Sequence, residues 1–302
     1  MGNFGDDAYM IPSCTSNEVV VQSTDSFVEG THFTKDMGFF SVGWKSLVSS
    51  ISDVYAMGAS PSFYSLNLII PKDFKNTDLD ELLEGLKKAS DEYNVKLLGG
   101  DVTRGASLCV IIQAAGYQRK EFIKSNKGAL RGDVLVTNAE LGHALLGLEQ
   151  FQKNIKDTKF VESFLFPKLN QELGQWLGGF KEVTSLTDIS DGLHRELTNM
   201  CKLNDCSVMI ESLPPLGSEF LESCQELGLS AEITALQGGE EYGLLWTVKP
   251  DFLQEFLTKY RIKFKTKPYL LGRVESNTAK KKISYENQDL IESIKPFEHF
   301  TS

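Results

Sequence analysis

Two carboxylates and a hydroxyl lie within one short stretch, Asp188-Ile189-Ser190-Asp191, at the predicted junction of a strand and a helix. Residues 183–187 have the pattern of a strand, and apolar residues recur at helical spacing from Leu193 to Met200. A helix N-terminus attracts anions, so one Asp there is an ordinary cap. A second Asp, with Gly192 allowing close backbone approach, indicates a site for divalent cations that carry a phosphate. From this segment alone the two interpretations are equally good.

The size and charge of the chain limit the classes of protein it can belong to. Its 302 residues exceed a typical single core, so we expect two α/β domains. A formal net charge of -10 argues against a nucleic-acid partner. If the protein handles phosphates, metal ions or backbone dipoles have to bind them in place of a broad basic surface.

The cysteine pattern and the hydropathy indicate a compartment. Five cysteines, an odd number with no CxxC spacing, are typical of a reducing environment without disulfides or a zinc ribbon. No apolar run approaches the roughly 20 residues of a membrane span. The acidic N-terminus lacks the apolar core of a signal peptide. We therefore expect a cytoplasmic protein with no membrane partner.

Polar residues follow a short buried strand in the first half of the chain. The strand is predicted over residues 18–23, and it runs into Ser23-Thr24-Asp25 and then His32. Carboxylates and hydroxyls at the end of a buried strand are positions from which α/β proteins hold ligands. A lone histidine is more often packed than functional, but this one lies just beyond Asp25. Upstream, Gly5-Asp6-Asp7 is by itself best interpreted as a solvated turn.

A helix predicted over residues 41–57 carries an acid where the helix dipole disfavours it. Asp53 lies in its last turn, ahead of Gly58, at a position that favours Lys or Arg. This placement indicates a counter-charge, which a bound metal ion would supply. The alternative is an exposed Asp that tolerates a few tenths of a kcal/mol.

Each half of the chain contains two glycines followed by an acid. These segments are Gly99-Gly100-Asp101 and Gly238-Gly239-Glu240. The glycines give backbone N–H groups room to reach a phosphate while the carboxylate takes a metal ion. A glycine turn between two strands is the alternative interpretation. The repetition suggests that the two halves have similar architectures.

Several acids lie at predicted strand and helix ends, and we interpret them together as one group. The set is Asp7, Asp25, Asp53, Asp101, Asp188, Asp191 and Glu240. Converging on one cleft, these carboxylates would repel one another unless cations neutralised them. Oxygen ligands without a nearby His or Cys cluster select Mg²⁺ over zinc. Several Mg²⁺ ions between Asp groups describe a site for ATP, although neither GxxxxGK[ST] nor GxGxxG is present.

Taken in order, the motifs resemble those of the thiamine-monophosphate kinase family over nearly the whole chain. They are Gly5-Asp6-Asp7, Ser23-Thr24-Asp25 with Gly30-Thr31-His32-Phe33, Gly43-Trp44-Lys45 through Ser52-Asp53, Gly99-Gly100-Asp101, Asp188 to Leu193 and Gly238-Gly239-Glu240. The resemblance implies an α/β (α+β) fold like that of aminoimidazole ribonucleotide synthetase, with two domains of mixed sheets and packed helices. It implies that residues 1–128 bind ATP and Mg²⁺ and form a homodimer, and that residues 129–302 close the active site.

The resemblance also implies roles for individual residues. The implied magnesium ligands are Asp7, Ser23, Thr24, Asp25, Asp53, Asp101, Asp188 and Asp191. The implied nucleotide contacts are Gly100, Asp101 and Ser190, and the implied contacts to thiamine monophosphate are His32, Glu240 and Phe297. No side chain is assigned as a catalytic acid, base or nucleophile.

The chain departs from the family pattern at several positions. Asn126 occupies a position where the family often has Arg, and Lys124 or Lys127 would supply only a point charge in its place. Phe297 replaces a tryptophan that stacks on thiamine. The helix that usually precedes Gly5 is missing from this sequence.

The implied reaction transfers a phosphoryl group from ATP to thiamine monophosphate. The acceptor is a phosphate monoester with a second pKa of about 6, so it is already ionised and needs no general base. Metal ions would bring the two polyanions into line for direct transfer.

Two alternatives are kept, one within this fold and one from another class. Selenophosphate synthetase would require a reactive N-terminal Cys, and the hydrogenase-maturation type a C-terminal Cys tail, whereas this sequence ends Thr301-Ser302. The alternative from another class is a nucleotide sensor that binds ATP without transferring phosphate.

Overall fold

The computed structural model describes residues 7–12, 17–276, 282–285, 291 and 294. The chain divides into two compact units. The first unit contains Asp7–Ile123 and Leu165–Gly179, and the second contains Lys124–Phe164 and the residues from Phe180 onward. The chain thus leaves the first unit after Ile123 and returns to it for one short segment.

Helices and strands alternate along much of the chain. Among the described residues the strands are β1 (Tyr9–Pro12), β2 (Glu18–Val28), β3 (Ser60–Ile70), β4 (Lys96–Arg104), β5 (Cys109–Arg119), β6 (Val134–Thr137), β7 (Val183–Asp188), β8 (Cys206–Ile210), β9 (Leu244–Val248), β10 (Tyr269–Ser276) and β11 (Ile283–Tyr285). The helices are α1 (Phe39–Ala56), α2 (Asn76–Tyr93), α3 (His143–Gln152), α4 (Lys159–Leu165), α5 (Leu173–Gly178), α6 (Leu193–Asn204), α7 (Ser218–Leu227), α8 (Ala231–Gln237) and α9 (Leu253–Phe264). No helix in the described ranges is long and apolar enough to cross a bilayer.

The sheet of the first unit has the strand order β1-β2-β5-β3-β4. It is mixed, because β5 pairs antiparallel with β2 and β3 whereas β3 and β4 are parallel. The strand predicted to end at Ser23 in fact continues to Val28. The prediction of an early strand end was wrong. The polar residues after Ser23 still pair with β5 through their backbone, and this pairing does not depend on their side chains.

Two glycines fix α1 against α2. A Cβ on Gly43 would overlap the backbone of Leu82, and one on Gly85 would overlap the backbone of Phe40. The two helices therefore pack backbone to backbone. On its other side α1 covers the sheet, where Val21 and Phe27 of β2 are buried. This packing places the last turns of α1 beside β2.

The sheet of the second unit has the order β11-β8-β10-β6-β9-β7. The predicted strand-turn-helix is confirmed, because β7 ends at Asp188 and α6 begins at Leu193. The predicted apolar stripe of α6 is also confirmed, since Leu193, Leu197 and Met200 are fully buried in one core cluster. Pairing of β7 with β9 sets Asp188 opposite Leu244. The segments that adjoin these two strand ends are thereby brought side by side.

Candidate active site

In the first unit, polar residues of β2 face polar residues of α1. Ser23 and Asp25 lie on the face of β2 that also buries Val21 and Phe27. The Ser23 hydroxyl donates a short hydrogen bond to the Asp53 carboxylate, and the Ser50 hydroxyl bonds to Asp25. Packing of α1 on β2 thus unites three of the residues predicted to bind a metal ion.

The two carboxylates of this group are not ordinary surface acids. Burial raises the pKa of Asp25, and the hydrogen bond from Ser50 opposes that effect. Asp53 is half-buried, so the alternative of an exposed Asp is wrong. No basic residue lies in the last turn of α1. A cation next to these groups would favour their ionised forms.

Two other residues predicted to bind metal in the first unit, Thr24 and Asp101, are exposed and do not join this group. Thr24 is exposed on the opposite face of β2, because strand side chains alternate. Asp101 is exposed within β4, which β3 and β5 separate from β2. Three strand spacings amount to about 14 Å. Asp7 lies half-buried in a bend just before β1.

The glycines before Asp101 do not form a turn. Gly99 and Gly100 lie inside β4 and pair with β3. A Cβ on Gly100 would overlap the carbonyl oxygen of Leu66. Gly100 is therefore required by the close approach of the two strands, and the interpretation as a turn between strands is wrong.

The side chain of His32 has a defined tautomer. Its Nδ1 accepts a hydrogen bond from the Val28 N–H at 3.1 Å, and its ring stacks on Phe27 with centroids 5.4 Å apart. In a neutral imidazole the proton is then on Nε2. His32 is thus oriented to donate a hydrogen bond through Nε2.

In the second unit, Asp188 and Asp191 lie at the two ends of the turn between β7 and α6. Asp188 is buried, Ser190 is half-buried and Asp191 is exposed. The N-cap residue of α6 is Gly192, which has no side chain with which to cap the helix. The interpretation of this segment as an ordinary Asp cap is therefore wrong.

A third carboxyl group, which the sequence reasoning missed, lies at the same turn. Glu196 is only 5% exposed, and its Oε1 accepts a hydrogen bond from the Asp191 N–H at 3.2 Å. Burial, followed by the charges of Asp188 and Asp191, raises the pKa of Glu196 to about 8. The sequence did contain a signal for this residue. Glu196 lies on the buried stripe of α6, beside Leu193 and Leu197, where an acid is unusual.

The Gly-Gly-acid segment of the second unit is bonded to this turn. Glu240 donates from its backbone N–H to the Ser190 carbonyl at 2.6 Å, and Tyr242 donates to the Ile189 carbonyl at 3.0 Å. Gly192 has a φ of 95°, and a Cβ there would overlap the carbonyl of Gln237. Two predicted sites that are about 50 residues apart are therefore parts of one structure.

Lys124 is already used within the second unit. Its Nζ donates to the carbonyl oxygens of Phe180 at 2.6 Å and Val183 at 2.8 Å, and burial lowers its pKa. It is therefore an anchor of this unit, not a point charge facing a ligand. Lys127 is exposed. Phe297 lies outside the described residues.

Comparison with known proteins agrees with this architecture. Residues 5–117 match the family model described as AIR synthase related protein, N-terminal domain. The thiamine-monophosphate kinase of Haemophilus influenzae is 34% identical over 84% of this chain and 77% of its own. The solved structure "AaThiL complexed with AMPPCP and TMP" is 24% identical, with a TM-score of 0.85 over 98% of this chain and 92% of that chain. The thiamine-monophosphate kinase of Stenotrophomonas maltophilia K279a is 25% identical, with a TM-score of 0.80 over 95% and 90% of the two chains.

The mixed sheets with packed helices, together with the match of residues 5–117, give this chain a fold of the AIR synthase related class, and the predicted fold is confirmed. Within that class, the identity to the Haemophilus protein extends over most of both chains. The chain belongs to the thiamine-monophosphate kinase family, so the resemblance of its motifs is confirmed.

Proposed function

We propose that this protein transfers the γ-phosphoryl group of ATP to thiamine monophosphate, giving thiamine diphosphate and ADP. The observation that carries the proposal is the 34% identity to a thiamine-monophosphate kinase over 84% of the chain. A structure of similar fold was solved as a complex with AMPPCP and TMP, which are an ATP analogue and the proposed acceptor. The grouped acids described above support the proposal, since such a reaction requires oxygen ligands for metal ions.

We propose that Mg²⁺ ions accompany the nucleotide. In the first unit the supporting donors are Ser23, Asp25 and Asp53, and in the second they are Asp188 and Asp191. All are hard oxygen ligands, as Mg²⁺ prefers. When bound, such ions neutralise phosphate charge and align the two substrates. Asp7, Thr24 and Asp101 stay predicted ligands on the resemblance alone.

The remaining roles follow from charge and hydrogen bonding. The acceptor phosphate is already ionised near neutral pH, since its second pKa is about 6, and no side chain has to remove a proton. His32, with its proton on Nε2, is a suitable donor to the acceptor phosphate. The carboxylate of Glu240 is suited to the cationic thiazolium ring of the acceptor. Gly100, Asp101 and Ser190 are proposed nucleotide contacts, and Phe297 is a proposed contact to the thiamine.

A product assay separates this function from its alternatives. Purified protein is incubated with Mg-ATP and thiamine monophosphate, and thiamine diphosphate is measured by chromatography. The proposal predicts stoichiometric thiamine diphosphate and ADP. ATP binding without this product would favour a nucleotide sensor. In a parallel incubation with selenide in place of thiamine monophosphate, selenide-dependent ATP turnover would favour the selenophosphate synthetase type.

We propose that the protein is a homodimer that forms through the first unit. The edge strand β4 is exposed at every position and carries Leu97, Leu98 and Val102, which are 51%, 68% and 65% exposed. An unpaired edge with large apolar side chains is typical of an interaction surface. Light scattering after size-exclusion chromatography should give twice the chain mass of 33.6 kDa, and Leu98→Lys should shift that mass toward the monomer.

We also propose a cytoplasmic location. The supporting observation is that Cys109, Cys201, Cys206 and Cys224 are all free thiols among the described residues. Free buried thiols are typical of reducing compartments. Fluorescence microscopy of a tagged chain tests the proposal.

A further inference from the structure

We propose that Glu241 is a positioning residue for the acceptor substrate and acts through the neighbouring Glu240. The inference rests on the proposed function, in which Glu240 contacts thiamine monophosphate. It differs from that proposal because the role assigned to Glu241 requires no contact with either substrate. Its carboxyl group instead fixes the backbone from which the Glu240 side chain extends.

The carboxyl group of Glu241 caps a helix from outside that helix. Its Oε1 accepts a hydrogen bond from the Ala144 N–H at 3.1 Å, and the carboxyl also accepts from the Gly142 N–H. Gly142 is the N-cap of α3 and has no side chain to satisfy these donors. The first N–H groups of a helix have no partner within it, and the oxygens of a carboxyl group can accept their hydrogen bonds. Glu241 therefore ties its own loop to α3.

The backbone on either side of Glu241 has a conformation that needs support. Glu240 has a φ of 61° and Tyr242 a φ of 49°, in the left-handed region that residues with a Cβ seldom adopt. Such residues persist only where their surroundings hold them. Here the supports are the bonds from Glu240 to Ser190 and from Tyr242 to Ile189, together with the side chain of Glu241.

These supports act in different directions. The two backbone bonds hold the loop against the turn between β7 and α6, and the Glu241 carboxyl holds it against α3. Without that carboxyl, the two left-handed residues are free to relax toward ordinary backbone angles. The Glu240 carboxylate would then lose its orientation. Because Glu240 is proposed to contact the acceptor, and the backbone bond from Glu240 to Ser190 does not involve the Glu241 carboxyl, the loss should fall mainly on the acceptor.

The primary test compares Glu241→Met with Glu241→Gln, two side chains of nearly equal length. Glutamine keeps an acceptor oxygen for the α3 amides, whereas methionine has none. We expect Glu241→Met to raise the KM for thiamine monophosphate at least about tenfold. This is the effect expected when the Glu240 carboxylate loses its charge-assisted contact to the acceptor. The KM for ATP should change less than about twofold, and Glu241→Gln should restore most of the acceptor affinity.

A double-mutant cycle with Glu240→Ala tests whether Glu241 acts through Glu240. If it does, Glu241→Met should add no further rise in acceptor KM once Glu240 is alanine. Additive effects would contradict the proposal. In case Glu241→Met does not fold, Glu241→Ser takes its place, because the shorter side chain admits a water molecule that can satisfy the α3 amides. An unchanged acceptor KM in Glu241→Ser would also contradict the proposal.

Thr158→Ala is the matched control for a lost helix cap. The Thr158 Oγ1 accepts from the Val161 N–H at 3.1 Å at the start of α4, in the same unit. Loss of this hydrogen bond should lower the Tm by a few degrees, as is typical for a lost helix cap. Both KM values should stay unchanged. If Glu241→Met behaves like this control, Glu241 is only a structural cap. If the wild-type protein makes no thiamine diphosphate, the proposed function fails instead.

Discussion

In the first unit Asp25 and Asp53 extend from a strand and a helix, whereas in the second unit Asp191 and Glu240 extend from turns. The geometry of the first pair follows from strand alternation and from the packing of α1 on β2. The geometry of the second depends on backbone bonds between two turns, on Gly192, and on carboxyl groups that brace those turns. The first arrangement therefore tolerates local backbone change better than the second, although Asp25, Asp53 and Asp191 are all proposed to hold the same kind of ion.

The largest effects should come from removing one acid from each unit. Asp53→Asn and Asp191→Asn keep the size of the side chain but remove a charge proposed to bind Mg²⁺. Each should lower kcat by about 10²–10³-fold. Thermal unfolding should show both variants folded. Activity near that of the wild type in both variants would refute the assignment of these residues, and a loss in one alone would confine the metal site to that unit.

Gly192→Ala should damage the second unit specifically. The new Cβ would overlap the Gln237 carbonyl at a residue with a φ of 95°, so we expect a loss of about 2 kcal/mol or more in unfolding free energy, with a fall in activity. Gly228→Ala is the control, since Gly228 has a φ of 71° but open space around it. Its cost should be about 1 kcal/mol with unchanged kinetics. Equal behaviour of the two variants in urea unfolding and in turnover would show that the contact between the turns is unimportant.

Ser23→Ala should have a smaller effect on the first unit. It removes the hydroxyl that donates to Asp53, while the strand and the helix stay in place. We expect about 1 kcal/mol of destabilisation and a severalfold higher Mg²⁺ concentration for half-maximal activity. Ser26→Ala, on the exposed face of the same strand, is the control and should match the wild type. An unchanged Mg²⁺ requirement in Ser23→Ala would remove Ser23 from the proposed site.

The last prediction concerns pH and the stability of the second unit. Burial raises the pKa of Glu241 from 4.5 to about 8. A carboxyl group whose pKa is raised on folding stabilises the protein fully below its unfolded pKa, and that contribution is lost as the pH rises through its folded pKa. This loss runs from about pH 4.5 to about pH 8, and between pH 6 and 8 denaturant unfolding should show stability falling by about 2 kcal/mol. Glu241→Gln should make this slope shallower and leave the part due to Glu196, and an unaltered slope would assign it to other groups.

The same contrast explains what could be predicted from the sequence. The turn between β7 and α6 was predictable because Leu193, Leu197 and Met200 repeat at helical spacing on a buried face. Asp53 was placed correctly in the last turn of α1 for the same reason. Periodic patterns identify regular elements, and both acids are positioned by those elements.

The features that could not be predicted from the sequence depend on pairing between distant segments. The strand through Ser23 was predicted to end early, whereas pairing with β5 extends it and turns Thr24 to the face opposite Ser23 and Asp25. Glu196 and Glu241 were missed because their partners, the amides of Asp191 and Ala144, are brought to them by tertiary packing. No local pattern indicates such a contact.

The most direct test of the account follows the γ-phosphate of ATP through a single turnover. Protein in excess is mixed with γ-labelled ATP, Mg²⁺ and thiamine monophosphate, then quenched, and the label is located. Direct metal-assisted transfer predicts that the label moves to the terminal phosphate of thiamine diphosphate at the rate at which ATP disappears. Label on the protein, or released as inorganic phosphate without thiamine diphosphate, would contradict it.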